Sequence, residues 1–459
     1  MRRVLSWVVA CVACTATTPY TPALTYSSAY SYPPAPSHAP ASSAAHATAP
    51  ARSADAVAAF DGLPNGLVDL PTHRADQAAF DRQEEISSGL GPLYNAHSCR
   101  DCHENPVAGG GGQTTELRAG HRDAQGNFVF PQVRIGGGSV VVTGRTLIND
   151  KAICPGAEFP DNDAQEHLPD SENIRATRLA VSLLGDGYVE AVPDALLEAI
   201  ARWQCSQPDL GVCGTPMQVP VLESPGTVAI GRFGWKSEHA SVLSFSADAY
   251  LNEMGVTSAL RPTDVTSYCD TVPDPEDHPD ATGYTDLERF ARFIRATKAP
   301  PRDARLAATA EARNGSTLFE TIGCAVCHAP LLTTAPAGTA MFGGQYRVPQ
   351  ALGSMTLHPY SDYLAHDVGT GDGIMLAVPE HFGPQFAKMQ ETFAASVNKI
   401  RTAPLWGLRT RSRLMHDGQS YTLREAIGRH QGEASKVRAA FDALPPQSQE
   451  QLLTFLRSL

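Results

Sequence analysis

The sequence predicts a mainly α-helical protein of two domains, with long loops and few strands. Apolar residues recur three and four apart in several separate stretches, the spacing that gives a helix one buried face. Few stretches show the strict alternation of a half-buried strand. The segment Cys-x-x-Cys-His occurs twice, at Cys99–His103 and Cys324–His328, once in each half of the 459 residues.

The elements follow in order. The folded part begins near Val57. Residues 76–87 read as a helix with Phe80 and Ile86 toward the core, and Gly89-Leu-Gly-Pro92 breaks it ahead of Cys99. Gly109 to Gly112 and Gly136 to Gly138 read as turns, since neither has the spacing of a phosphate- or dinucleotide-binding loop. Residues 173–203 read as two helical segments, the second opened by Pro193, and residues 240–254 as another helix. Thr285-Asp-Leu-Glu288 is a capping box ahead of Leu287, Phe290, Phe293 and Ile294. That helix stops at Ala299-Pro-Pro301, which sets the domain boundary. A helix from about Ala307 carries Leu318 and Phe319 into Gly323-Cys324. The last helix, Ser448 to Leu459, places Leu452, Leu453, Phe455, Leu456 and Leu459 at helical spacing, with Ser448 and Gln451 as its capping box.

Arg2 and Arg3 precede a short apolar run, Val4 to Ala13, as in an export signal over residues 1–15. The run is too short to span a bilayer. Val8-Val9-Ala10-Cys11 resembles a lipoprotein box, so the expected location is periplasmic or cell-envelope, with a lipid anchor at Cys11 or an ordinary cleaved signal as alternatives. Residues 16–56, rich in Ala, Pro, Ser and Thr, lack periodicity and read as a disordered tether. The net charge is −12 and no block of Lys or Arg could neutralise a phosphate backbone, which argues against nucleic acid. Of ten cysteines, Cys154, Cys205, Cys213 and Cys269 lie outside the signal and the two motifs. An even set in an exported chain predicts two disulfides. Three pairings are open; the short loop between Cys205 and Cys213 favours that pair, and so Cys154 with Cys269.

Cys-x-x-Cys-His supplies two thiols for the vinyl groups of a haem and an adjacent imidazole for its iron. Composition alone predicts about 0.007 such segments here. A zinc site would want further Cys or His ligands close by, and a redox dithiol does not explain the His in both copies. We therefore expect two covalently bound haem c groups, on Cys99, Cys102 and His103 and on Cys324, Cys327 and His328. The domains are then cytochrome c-like haem domains, residues 57–302 and 303–459.

The chain resembles the bacterial di-haem oxidoreductase family, relatives of the di-haem cytochrome c peroxidases and of the methylamine-utilisation di-haem enzyme. The resemblance rests on Gly89-Leu-Gly-Pro-Leu-Tyr-Asn95, Gly187-Tyr-Val-Glu-Ala-Val-Pro193 and Gly231-Arg-Phe-Gly-Trp-Lys236. It continues through Tyr360-Ser-Asp-Tyr-Leu-Ala-His-Asp-Val-Gly369, Thr402-Ala-Pro-Leu-Trp-Gly-Leu408 and the segment from Leu414 to Ile427. In those relatives the sixth ligand of the C-terminal haem follows a His-Asp-Gly His by fourteen residues, and is Met or Tyr. Counting from His416 gives His430, so the resemblance implies His/His ligation, with Met375 or Met415 as the fallback. The relatives also carry a Trp between the haems and an acid-base Glu over the N-terminal haem; Trp235 and Glu253 match, although Leu243 or Ser244 stands where the relatives have Gln. His358, His366, Asp367 and Asp417 read as structural.

The implied activity is a peroxidase-like oxidoreductase. The His103 haem, with no His at comparable spacing except His121, would react with peroxide or oxygen, and the His328/His430 haem would relay electrons. A small periplasmic cytochrome or copper protein is the expected electron partner. Against a simple peroxidase, a His/His haem has a lower potential than His/Met. Two alternatives from other classes stay open: an electron-transfer cytochrome without substrate chemistry, and an oxidase that modifies a protein or peptide.

Overall fold

The computed structural model describes residues 52–136, 138, 140–154, 165–376 and 386–459. The signal, Cys11 and the tether as far as residue 51 lie outside them. The tether's last residues are described: β1 (Arg52–Ser53) pairs in parallel with Met355 and Thr356.

Helix outweighs strand, 32% against 15%, but short strands are more numerous than expected. Helix α1 is Leu70–Asp81, capped by Asp69, whose side chain accepts from the Thr72 amide. It begins and ends earlier than the predicted 76–87. Phe80 is buried as expected, whereas Ile86 lies beyond the helix and is 45% exposed. β2 (Thr115–Arg122) anchors a four-stranded antiparallel sheet with β3 (Phe128–Val129), β4 (Leu147–Ile148) and β5 (Ile174–Leu179). The sequence predicts helix for residues 174–179. They form a strand because β2 offers them a full ladder, Thr115 opposite Leu179 through Gly120 opposite Ile174, and because β-branched Ile174 and Thr177 suit a pleat.

Helices α2 (Asp186–Glu190) and α3 (Asp194–Cys205) follow, then α4 (Val242–Met254), capped by Ser241. Helix α5 (Asp286–Ala296) starts on the predicted box, with Thr285 and Glu288 each accepting from the other's backbone amide. The buried carboxylate of Glu190 ties three of these together. It takes two bonds from Arg295 of α5, 2.6 and 2.9 Å, and one from the Val242 amide of α4. Gly187 lies against the backbone of Arg295, where a Cβ would not fit. The Gly-Tyr-Val-Glu stretch is thus a packing device.

Helix α6 (Ala310–Thr321), β6 (Met355–Leu357), α7 (Leu423–Gly428) and α8 (Pro446–Arg457) complete the frame. α6 and α8 cross at Gly315, which touches the Gln451 carbonyl and Phe455 and leaves no room for a side chain. α8 begins two residues before Ser448, at a Pro suited to the first turn, so the expected Ser448 box does not cap it. Phe319, Tyr360, Leu452, Phe455 and Leu456 form a small core there. The larger core joins Tyr188, Ile200, Tyr250 and Phe293 to Leu332, Leu357, Tyr363 and Trp406, so it crosses Pro301.

Cys205 and Cys213 stand side by side with Cα atoms 4.5 Å apart, and Cys154 and Cys269 with Cα atoms 6.2 Å apart. Both separations lie in the range of a disulfide.

Candidate haem sites and their surroundings

Both Cys-x-x-Cys-His segments fold as one tight turn, with the His amide donating to the carbonyl of the first Cys at 3.0 Å. Ser98 and Asp101 cap the first turn and left-handed Gly323 opens the second. The four sulfurs are unpaired. Burial pushes the Cys102 thiol up to about 11 and the Cys324 thiol to about 12. A redox dithiol needs the opposite shift.

Each His is oriented by a backbone carbonyl. His328 Nδ1 donates to Tyr360 O at 3.0 Å, and His103 Nδ1 to Gly110 O at 3.3 Å. The glycines after the first motif are therefore more than turns. Gly110 and Gly112 press against the carbonyls of Asn105 and Cys102 with no space for a Cβ, and this brings the Gly110 carbonyl under the imidazole. Burial lowers the affinity of both imidazoles for a proton, His328 to about 4 with His430 as the next cause. Neutral rings with Nδ1 engaged present Nε2 as a metal ligand.

His430 follows α7, and its Nδ1 donates to Ala426 O at 2.7 Å. Its ring faces that of His328 with centroids 6.4 Å apart. Two imidazoles on opposite sides of one metal ion, each bonded at about 2 Å, have ring centres about 6 Å apart. Cys324, Cys327, His328 and His430 line a cavity of 660 Å³, within the usual size range of cofactor sites. Met415 lines it too, but the ring opposite His328 is that of His430. The donor set and the space fit a haem.

The same cavity runs past Trp235 and His416 to Asn105, Gly111 and Gly112, which follow the first motif. Trp235 donates from Nε1 to Leu179 O at 2.7 Å, and its ring meets His416 edge-on at 6.1 Å. The cations around it are clamps. Buried Arg232 bonds Asp194 and the carbonyls of Ile230 and Val192, and buried Lys236 meets Asp372 at 2.8 Å.

Glu253 lies beside the first motif, near Cys102. Asn95 Nδ2 donates to its Oε2 at 2.8 Å, and the Asn95 amide to its carbonyl at 2.7 Å. Burial, and then neighbouring Glu116, push its carboxyl up to about 8. Glu116 is partly buried, and Arg118, 2.7 Å away, holds it below the usual carboxylate range. The pair therefore shares its burden unequally: Glu116 stays charged and Glu253 keeps a proton at neutral pH. Sequence reasoning misses Glu116 and Arg118. Both lie two apart on β2, a strand legible only once its partner β5 is known.

His121 is held by Glu172 at 2.7 Å on the outer part of the sheet. His366 lies 3.9 Å from the Cys327 sulfur with Asp362 on one ring nitrogen at 2.9 Å and Glu433 on the other at 2.8 Å. With both nitrogens donating it is an imidazolium, which cannot ligate a metal. Asp417 pairs with Arg429 at 2.6 Å and His358 with Asp55 at 2.6 Å.

Two haem-type motifs on a mainly helical frame fit the class of di-haem proteins. The family model described as "Di-haem oxidoreductase, putative peroxidase" matches residues 160–459, and the chain belongs to that family. No curated protein matches the chain. Among solved structures, hydrazine synthase of Kuenenia stuttgartiensis is similar at 14% identity, over 92% of this chain and 99% of that one, with a TM-score of 0.36. The diheme peroxidase BthA of Burkholderia thailandensis matches at 16% identity over 49% of this chain and 60% of its own, TM-score 0.23. A MauG-like protein associated with microbial copper homeostasis matches at 20% identity over 38% and 52%, TM-score 0.24. Among the described residues no helix is long and apolar enough to cross a membrane.

Proposed function

We propose that this chain is an exported, peroxidase-like enzyme with two covalently held haem c groups of unequal role. The supporting observation is an asymmetry. His328 faces a second imidazole at 6.4 Å, whereas the distinctive group beside the His103 motif is a partly buried carboxyl, Glu253, whose affinity for a proton is raised. Cys99 and Cys102 would hold one haem and Cys324 and Cys327 the other, with His103 and His328 as proximal ligands and His430 as the sixth ligand of the second.

Bound haem supplies iron that exchanges single electrons, and two irons together supply the pair that splitting peroxide requires. The protein's part is positional. Glu253, fixed by Asn95, in its deprotonated form takes the proton from peroxide and returns it to the leaving oxygen. Arg118 keeps Glu116 charged, so that Glu253 is the member of the pair that cycles its proton. Trp235, on the cavity wall between the motifs, offers a π-system on the route from the relay haem. His430 closes the second site to substrate. Electrons would come from a small cytochrome or copper protein; the acidic net charge of −12 suits a cationic one.

The holoprotein should contain two haems per chain by pyridine haemochrome, retained on acid-acetone extraction, and should consume hydrogen peroxide at the expense of a reduced small cytochrome. One haem per chain, or haem that extracts, overturns the attachment. Failure to react with peroxide favours an electron-transfer cytochrome. Export also predicts that Cys154, Cys205, Cys213 and Cys269 resist alkylation in denaturant without reductant; two or more reactive thiols among them would refute the paired state.

A further inference from the structure

We infer that His366 tunes the reduction potential of the haem site at Cys324 and Cys327, as a buried cation whose charge favours the reduced state. That role rests on the haem attachment proposed above. His366 is 1% exposed, and its Nδ1 lies 3.9 Å from the Cys327 sulfur. It lines the same cavity as Cys327, His328 and His430. Its ring is gripped from both sides, Nδ1 by Glu433 Oε2 at 2.8 Å and Nε2 by Asp362 Oδ2 at 2.9 Å.

The hydrogen bonds fix the charges. Buried Asp362 accepts from Gln204 Nε2 at 2.8 Å on the oxygen that meets His366, and from the Leu364 amide at 3.0 Å on the other. Glu433 accepts from the Cys213 amide at 3.0 Å on the oxygen that meets His366, and from the Asp367 amide at 3.1 Å on the other. With donors on every oxygen, both groups are held as carboxylates. Each then takes an N–H from the ring, so the ring carries a positive charge. Among the described residues neither carboxylate pairs with Lys or Arg, and His366 is the cation between them.

This network is tied to the second motif by its backbone. The Asp362 amide donates to Cys327 O at 2.9 Å, and Gln204 Nε2 also donates to Val326 O at 2.8 Å. The Cys205–Cys213 pair closes the loop that carries Gln204 at one end and the Cys213 amide at the other. The three charges therefore keep a fixed place beside the motif. An electron arriving from a reduced small cytochrome or copper protein adds one negative charge to that site and breaks no bond. A neighbouring cation favours its arrival and a neighbouring anion opposes it, most strongly where water is excluded. Charge and hydrogen bonding outside the ligands are among the protein's levers on a haem potential. A second imidazole in place of Met lowers that potential. His366 offsets part of the loss and keeps the relay site reducible.

The test is a potentiometric titration of the full holoprotein, followed by its optical spectrum, for the parent, His366→Gln and Glu433→Gln. His366→Gln should lower the midpoint of the low-spin haem, with about a tenfold fall in the ferrous-to-ferric ratio at a given potential, or about 59 mV. Glu433→Gln removes a negative charge from the same ring and should raise that midpoint. Opposite signs separate charge from damage, because a loosened site would shift both variants the same way. Two haems by pyridine haemochrome and a retained low-spin signal show that a variant has folded and that the haem attachment stands, so the two ideas fail separately. A midpoint that does not move in His366→Gln, or that moves the same way in both variants, overturns the role of His366. Should His366→Gln lose a haem, Glu433→Gln decides alone, and an unmoved or lowered midpoint overturns it.

Discussion

Glu253→Gln is expected to slow the reaction with peroxide by about 10²–10⁴-fold, the usual contribution of a positioned acid-base group. Both haems should remain bound, because Glu253 is neither a motif Cys nor a motif His. The amide keeps the shape and the Asn95 contact region but cannot accept and return a proton. The pH profile gives an independent check. A carboxyl raised to about 8 is protonated below that value and becomes a base only as pH rises through it. The parental rate should therefore climb with pH toward a plateau above about 8, and the Glu253→Gln variant should lack that limb. A Glu116→Gln variant removes the neighbouring negative charge, so the limb should move to lower pH. A Glu253→Gln variant that reacts at the parental rate would show that Glu253 only packs.

His430→Ala is expected to convert one low-spin haem to high-spin and to open it to cyanide. His430 is oriented for ligation by the Ala426 carbonyl and stands opposite His328 at the separation a shared metal sets. Of the other imidazoles that line the cavity, His366 is held as a cation by two carboxylates and His416 packs against Trp235. A spectrum unchanged from the parent would remove His430 from the iron. Appearance of a Met-ligated band would instead point to Met415.

The candidate haem residues stand out in the sequence because their signals are short. The two motifs are contiguous, and the resemblance to the family singles out His430 by its spacing from His416. Thr285 and Glu288 form the box their spacing predicts. What fails depends on partners distant in sequence. Ile174 to Leu179 has no strong period of its own and becomes a strand by pairing with Thr115 to Gly120. Glu116 and Arg118 matter because that sheet carries them to Glu253. Ser448 resembles a cap, but Pro446 can open the helix a little earlier, and it does. The boundary at Pro301 marks a change of local pattern, whereas apolar packing continues across it through Leu332, Leu357 and Trp406.

The central claim is that the two haem sites are unequal, and an electron paramagnetic resonance spectrum of the oxidised holoprotein tests it most directly. The account predicts one low-spin ferric signal from the His328/His430 site and one high-spin signal, from the His103 site, that cyanide converts. Two low-spin signals, both indifferent to cyanide and peroxide, would contradict it.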